Sequence, residues 1–159
     1  NVTKEDELSA SGDAYTSIDF PLFRTADAYL MAAEAILRGA SGTKSEALGY
    51  VNEVRTRAYM SGKYAKNGVR SDVSGEIGAN ELDLDFLLLE RQKELASELI
   101  RRTDLIRFGK YTKGNNWDWK NGVRLGEDVD DKYNLFPIPE SELTNNPTLV
   151  QNDGYKVIK

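Results

Sequence analysis

Two short stretches of this chain repeat small and aliphatic residues at helical spacing, with only a turn's length between them. In the first, Tyr29, Ala33, Ile36 and Leu37 fall at i, i+4, i+7 and i+8, one face of an amphipathic helix. In the second, Ala47, Val51, Val54 and Ala58 fall at i, i+4, i+7 and i+11. Ala26, Ala32, Ala33 and Ala35 add small side chains to the first helix, which lets two axes approach closely. After an extended entry at 20–23, Thr25 is placed to cap the first helix and Gly39 to end it. Ser41-Gly42-Thr43-Lys44 supplies the turn. The expected unit is an antiparallel hairpin of the tetratricopeptide kind, and the expected fold class is mainly α.

A third helical pattern opens at Phe86-Leu87-Leu88-Leu89, with Asp83 or Asp85 as its cap. Leu95, Ala96 and Leu99 are expected to continue its apolar face, and Glu98 stands four residues before Arg102, the favourable order for a helical ion pair. A short fourth helix through Leu105, Ile106 and Phe108 ends at Gly109. Two helical hairpins are therefore expected, joined by long loops. Residues 60–80, rich in Gly, Ser and Asn, read as an exposed connection, and loops of that length tend to be functional or mobile.

Beyond Lys110 the character changes. Asn115-Asn116-Trp117-Asp118-Trp119 and Asn121-Gly122 form an aromatic, turn-rich loop, followed by the acidic residues Glu127, Asp128, Asp130 and Asp131. The two prolines of Phe136-Pro137-Ile138-Pro139 fix an extended segment that is neither helix nor central strand. One helical turn at Glu140–Leu143 is expected before Asn145-Asn146-Pro147 stops it. Residues 1–19 show no period and read as an irregular lead-in, so 20–159 form the helical region, expected as a fragment of a longer chain.

Composition decides which chemistry is open. With 40% hydrophobic and 30% charged residues the chain has the make-up of a globular protein. A formal charge of −5 gives no electrostatic support to a nucleic-acid partner. No apolar run approaches the roughly 20 residues of a membrane-spanning helix. Histidine and cysteine are both absent, which removes imidazole triads, thiol catalysis, disulfides and the usual zinc sites. No metal or cofactor is expected.

Several side chains invite a functional reading beside a structural one. Trp117 and Trp119, with Tyr64 in the long loop, offer flat apolar faces for the C–H face of a sugar, or they staple loops onto helices. Glu90 and Glu94 share a helical face and admit a glycosidase pair, but carboxylates beside Arg91 fit an ion-pair network better. Arg101, Arg102 and Asp104, with Arg107, read as structural ties at helix ends or as an anion site. The acidic run at 127–131 reads as a solvated turn more readily than as a calcium loop.

Four segments together resemble the carboxy-terminal region of SusD/RagB-like outer-membrane nutrient-binding proteins. They are Arg24-Thr25-Ala26-Asp27-Ala28-Tyr29 with Ala33-Glu34-Ala35, then Ala47-Leu48 through Val51-Asn52-Glu53-Val54-Arg55-Thr56-Arg57. Glu90-Arg91-Gln92-Lys93-Glu94-Leu95 with Arg101-Arg102-Thr103-Asp104-Leu105 follows, then Leu135-Phe136-Pro137-Ile138-Pro139 with Asn146-Pro147 and Gln151-Asn152. The resemblance implies tetratricopeptide-like hairpins with long loops and no catalysis. It implies capture of a nutrient, most readily a glycan, by a lipid-anchored protein at the bacterial outer-membrane surface, as in the Bacteroidetes. The implied partners are a SusC-like TonB-dependent transporter and an amino-terminal portion of the same protein, which holds much of the ligand site. A helical-repeat scaffold for protein partners is the alternative, and a carboxylate glycosidase a third reading. One departure stands out. The family places a glycine between the third and fourth helices where this chain has Leu99, which puts the local bend in question.

Overall fold

The first helix, α1 (Thr25–Leu37), starts one residue earlier than the side chains suggest. Arg24, not Thr25, occupies the cap position, in extended backbone, and its carbonyl accepts from the amide of Ala28. The Arg24 guanidinium is drawn instead to Glu94, so the entry to α1 is fixed by a distant ion pair rather than by a hydroxyl cap. The far end follows the glycine rule. Gly39 sits at φ 100°, its amide donates to the carbonyl of Ile36, and the amide of Ala40 donates to that of Ala35. Those two bonds make a Schellman end. The computed structural model describes residues 22–60 and 75–156, and every regular element among them is helical. Residues 1–19, most of the loop expected at 60–80, and Tyr64 within it lie outside the described residues.

The chain divides into two compact units, 1–94 and 95–159. In the first, the connection 38–43 returns the chain into α2 (Lys44–Met60). Thr43 and Glu46 form a reciprocal capping box: the Glu46 amide donates to Thr43 Oγ1, and the Thr43 amide donates to Glu46 Oε2 at 2.6 Å. That backbone bond, with the Thr43 hydroxyl, holds the Glu46 carboxyl below its usual value. Ala26, Leu30, Ala33, Ala47, Val51 and Val54 interlock between the two helices, and Leu82 and Leu87 complete the core. Leu30, Val51, Leu82 and Leu87 are fully buried, each contributing about 1.5–3 kcal/mol of apolar burial. Tyr29 is half-buried and stacks on Tyr50 with ring centres 5.6 Å apart. Ala58 is exposed, so the buried stripe of α2 ends at Val54, a turn short of expectation.

The third helix, α3 (Leu84–Glu94), is capped by Asp83, whose Oδ1 accepts from the Phe86 amide at 2.7 Å. It packs against α1 through charge as well as through Leu87. Arg91, 2% exposed, meets Asp27 of α1 at 2.9 Å, an ionic contact without a well-aligned hydrogen bond between those atoms. Glu90 accepts from Arg55 of α2 at 2.6 Å, and Glu94 accepts from Arg24 and Arg57. Asn52 adds a clamp of a different kind. Its side-chain amide donates to the Ile77 carbonyl and accepts from the Ile77 amide, as a neighbouring strand would, and seats the segment entering α3.

The expected continuation of α3 through Leu99 fails. The helix stops at Glu94; Ser97 and Leu99 adopt left-handed backbone at φ 67° and 61°, Ala96 is exposed and Leu99 is 87% exposed. Leu99 thus adopts the left-handed backbone that a glycine takes easily. Glu98 and Arg102 fall on either side of this break, so they do not share one helical face. In the second unit, α4 (Arg101–Arg107) ends on Gly109 with the same Schellman pattern as α1, Lys110 donating to Leu105. A short α5 (Glu140–Asn145) follows the proline segment. Pro137 and Pro139 leave Ile138 as the one amide donor among the three, and Gln151 grips Ile138 at both backbone groups. Asn152 holds the preceding carbonyl of Phe136.

Candidate functional site

The aromatic loop of the second unit is closed at its base. The Val129 amide donates to the Thr112 carbonyl at 2.9 Å, and the Thr112 hydroxyl donates to Asp131 Oδ1 at 2.6 Å. Lys113 donates to the other oxygen of Asp131 at 2.7 Å. The Lys113 ammonium and then the Thr112 hydroxyl hold the Asp131 carboxyl below its usual range; Asp131 in turn holds Lys113 above its own.

Inside this closure lies a buried lysine. Lys120 is 3% exposed and its ammonium donates to the carbonyls of Thr112 and Asn115 and to Asn116 Oδ1, each at 3.0 Å. All three ammonium protons are therefore used, with Asp128 at 4.0 Å as countercharge. Removing an ammonium from water costs several kcal/mol unless such partners replace the solvent. The three acceptors do so, and they gather the loop around one cation. Lysine in a polar loop ordinarily stays in solvent, so no sequence signal marked this residue.

Around Lys120 the backbone turns twice through left-handed conformations, at Trp119 (φ 68°) and Asn121 (φ 57°). Amide bonds from Lys120 to Trp117, from Gly122 to Trp119 and from Trp119 to Arg124 tie the turn together. Gly126 is required where the loop returns: a Cβ there would collide with the Trp117 carbonyl oxygen. Asn121 donates to Glu127, fastening the turn to the acidic run.

The two tryptophans differ in their surroundings. Trp117 lies against Tyr111, ring centres 6.0 Å apart, with the Lys120 ammonium 5.0 Å from its ring, a cation–π arrangement. Trp119 is 67% exposed and makes no ring or charge contact among the described residues. Nearby, Arg102 lies between Tyr111 (5.0 Å) and Phe136 (4.1 Å) and donates to the Tyr133 carbonyl.

The remaining candidates are placed elsewhere. Glu90, Arg91 and Glu94 lie in the first unit, each held by a partner from α1, α2 or the residue before α1. Both carboxylates are thus engaged by arginines, Glu90 by Arg55 and Glu94 by Arg24 and Arg57. In α4, Asp104 is buried and accepts from Arg107 at 2.7 Å, while burial lowers the Arg101 guanidinium from its usual value. Of the six charged residues, Glu90, Arg91 and Glu94 belong to the first unit and Arg101, Arg102 and Asp104 to the second. A shallow cleft of about 510 Å³ opens between Asp130, Lys132 and Gln151–Gly154, with Gln151 and Asn152 already spent on the main chain. Among the described residues no acidic group is arranged to hold a metal ion.

A helical hairpin with a third helix docked on it, and a closed aromatic loop in a second unit, define a helical scaffold protein that presents loops. The chain belongs to the SusD family, whose sequence profile (SusD/RagB) matches residues 2–155. It is 38% identical to the starch-binding protein SusD of Bacteroides thetaiotaomicron over 154 residues, 96% of this chain and 24% of that protein. It is similar also to two proteins of Formosa agariphila. SusD-like protein P2 is 30% identical over 93% of this chain and 28% of its own length; SusD-like protein P25 is 33% identical over 84% and 23%. The chain therefore spans about a quarter of the length of these relatives.

Proposed function

We propose that the protein to which this chain belongs binds a glycan nutrient at the bacterial outer-membrane surface, without chemistry on it, for delivery to a TonB-dependent transporter. The observation that carries this reading is the 38% identity, over nearly the whole chain, to a protein named for binding starch. The ion pairs of Glu90 with Arg55, and of Glu94 with Arg24 and Arg57, support a structural role for these carboxylates. Trp117 and Trp119 are the candidate contacts for sugar in this portion. The charged set Glu90, Arg91, Glu94, Arg101, Arg102 and Asp104 serves to hold helices and loops in place.

The reading includes a lipid anchor outside this portion; among the described residues no helix is long and apolar enough to cross a membrane. The test uses the full-length protein. Affinity electrophoresis against a panel of neutral polysaccharides is expected to retard it in at least one gel, and purification from its native membrane is expected to bring a TonB-dependent transporter with it. Free migration in every gel and purification without the transporter would reject the reading. A reducing-end assay that rises with time would replace it with a glycosidase.

A further inference from the structure

We propose that Asn121-Gly122 is a latent modification site. Its asparagine converts to aspartate and isoaspartate through a succinimide, only while the aromatic loop is open, and the product keeps the loop from closing again.

The chemistry needs an asparagine followed by a residue that leaves the next amide nitrogen unobstructed. Glycine does so best, having no side chain and the widest backbone freedom. Asn121 and Gly122 are both exposed, so water and hydroxide reach them. After hydroxide takes the Gly122 amide proton, the nitrogen attacks Cγ of Asn121. The Cγ–Nδ2 bond then breaks, and Nδ2 leaves as ammonia with a proton from water. Water opens the resulting five-membered ring at either carbonyl, giving aspartate or isoaspartate. Water is the co-reactant throughout, and nothing is oxidised or reduced.

The closed loop opposes this at both reacting groups. The Gly122 amide donates to the Trp119 carbonyl at 2.9 Å, which holds its proton against removal. The Asn121 carboxamide donates from Nδ2 to Glu127 Oε1 at 2.5 Å, which ties the group to be attacked to the acidic run. Ring closure also requires the Gly122 nitrogen to lie beside Cβ of Asn121, whereas the turn holds ψ of Asn121 at 23° and points that nitrogen away. Reaction therefore passes through local opening of the loop.

The product cannot restore what opened. An aspartate at 121 has no amide proton to give Glu127 and sets a second carboxylate against it. The surroundings are already acidic: Asp118, Glu127, Asp128 and Asp130 lie in the loop, while Lys120 is buried and Lys113 is paired with Asp131. Like charges at such range repel. Isoaspartate also routes the main chain through the side-chain carbon. That adds a methylene to a turn whose span is fixed by amide bonds from Lys120 to Trp117, Gly122 to Trp119 and Trp119 to Arg124. Opening is thereby made one-way.

The experiment holds the full-length protein at mildly alkaline pH, folded or in guanidinium chloride, and samples it over time. Trypsin cuts after Lys120 and Arg124 and so releases residues 121–124. Mass spectrometry with isoaspartyl methyltransferase labelling then gives the converted fraction. The expected result is conversion in the folded protein at least about tenfold slower than in denaturant, because opening breaks one or two hydrogen bonds. Glu127→Ala removes one of those bonds and should speed conversion of the folded protein roughly threefold to tenfold. Asn121→Gln, whose longer side chain closes a six-membered ring slowly, should stay unconverted. Asn121→Asp, made directly, should accelerate hydrogen exchange of the Lys120 and Gly122 amides as the aged protein does, with α1 and α2 unaffected. Equal rates in folded and denatured protein would overturn the gate. Conversion in denaturant with none in the folded protein would overturn the site itself. Conversion that leaves exchange of the loop amides unchanged would overturn the one-way opening.

Discussion

Replacing Leu99 by glycine should stabilise the protein, although it removes a large apolar side chain. Leu99 stands at φ 61°, where an L-residue sits about 1–2 kcal/mol above its right-handed alternative. Its side chain is 87% exposed, so truncation forfeits only about an eighth of a leucine's burial, roughly 0.2–0.4 kcal/mol. The added freedom of glycine in the unfolded chain costs about 0.5–1 kcal/mol. The balance is a gain centred near 0.5 kcal/mol. Leu99→Ala is the control: it loses the same burial, keeps a Cβ in left-handed backbone, and should be neutral or slightly destabilising. Native-state hydrogen exchange of peptides covering α3 to α4 in the full-length protein reads the difference, with about twofold slower opening in the glycine variant. Were the helix continuous through Leu99, glycine would instead cost close to 1 kcal/mol relative to alanine. Faster exchange in Leu99→Gly than in Leu99→Ala would therefore refute the break.

Arg91→Ala leaves Asp27 buried without its cation and should destabilise by about 3–5 kcal/mol, while the double variant Asp27→Ala/Arg91→Met should recover part of that loss in urea unfolding. Gly126→Ala should open the aromatic loop, because its φ of 71° and the Trp117 carbonyl both oppose a side chain; exchange of the Lys120 and Gly122 amides should accelerate while α1 and α2 are unaffected. The capping box is acid-sensitive: Glu46 is depressed when folded, so its contribution is present above the usual carboxylate value of 4.5 and is lost as pH falls through the lower folded value. Protection of the Thr43 amide should follow that course, and Glu46→Gln should abolish the pH dependence.

Much of the scaffold is legible in the sequence because helices advertise themselves by period and by their ends. Ala33, Val51 and Val54 are buried, and Gly39 and Gly109 end helices in left-handed backbone. Thr25 misled because a hydroxyl cap and a long-range ion pair compete for the same start, and the Arg24–Glu94 contact spans 70 residues. Leu99 misled because its spacing is helical while its backbone is not. The loop was visible as aromatic and turn-rich, yet its organisation was hidden, since burial of Lys120 depends on three acceptors that converge only in the folded chain. The clamps made by Asn52 and Gln151 were hidden for a related reason: an amide side chain gives no sign of which distant backbone it will pair with.

Retention of an oligosaccharide, followed by analysis of what is recovered, tests the account most directly. Equilibrium dialysis of the full-length protein against a panel of neutral oligosaccharides should hold at least one sugar on the protein side, and the sugar released by denaturation should have its original length. Even distribution of every sugar across the membrane, or recovery of shortened chains, would contradict a scaffold that captures glycan and leaves it intact.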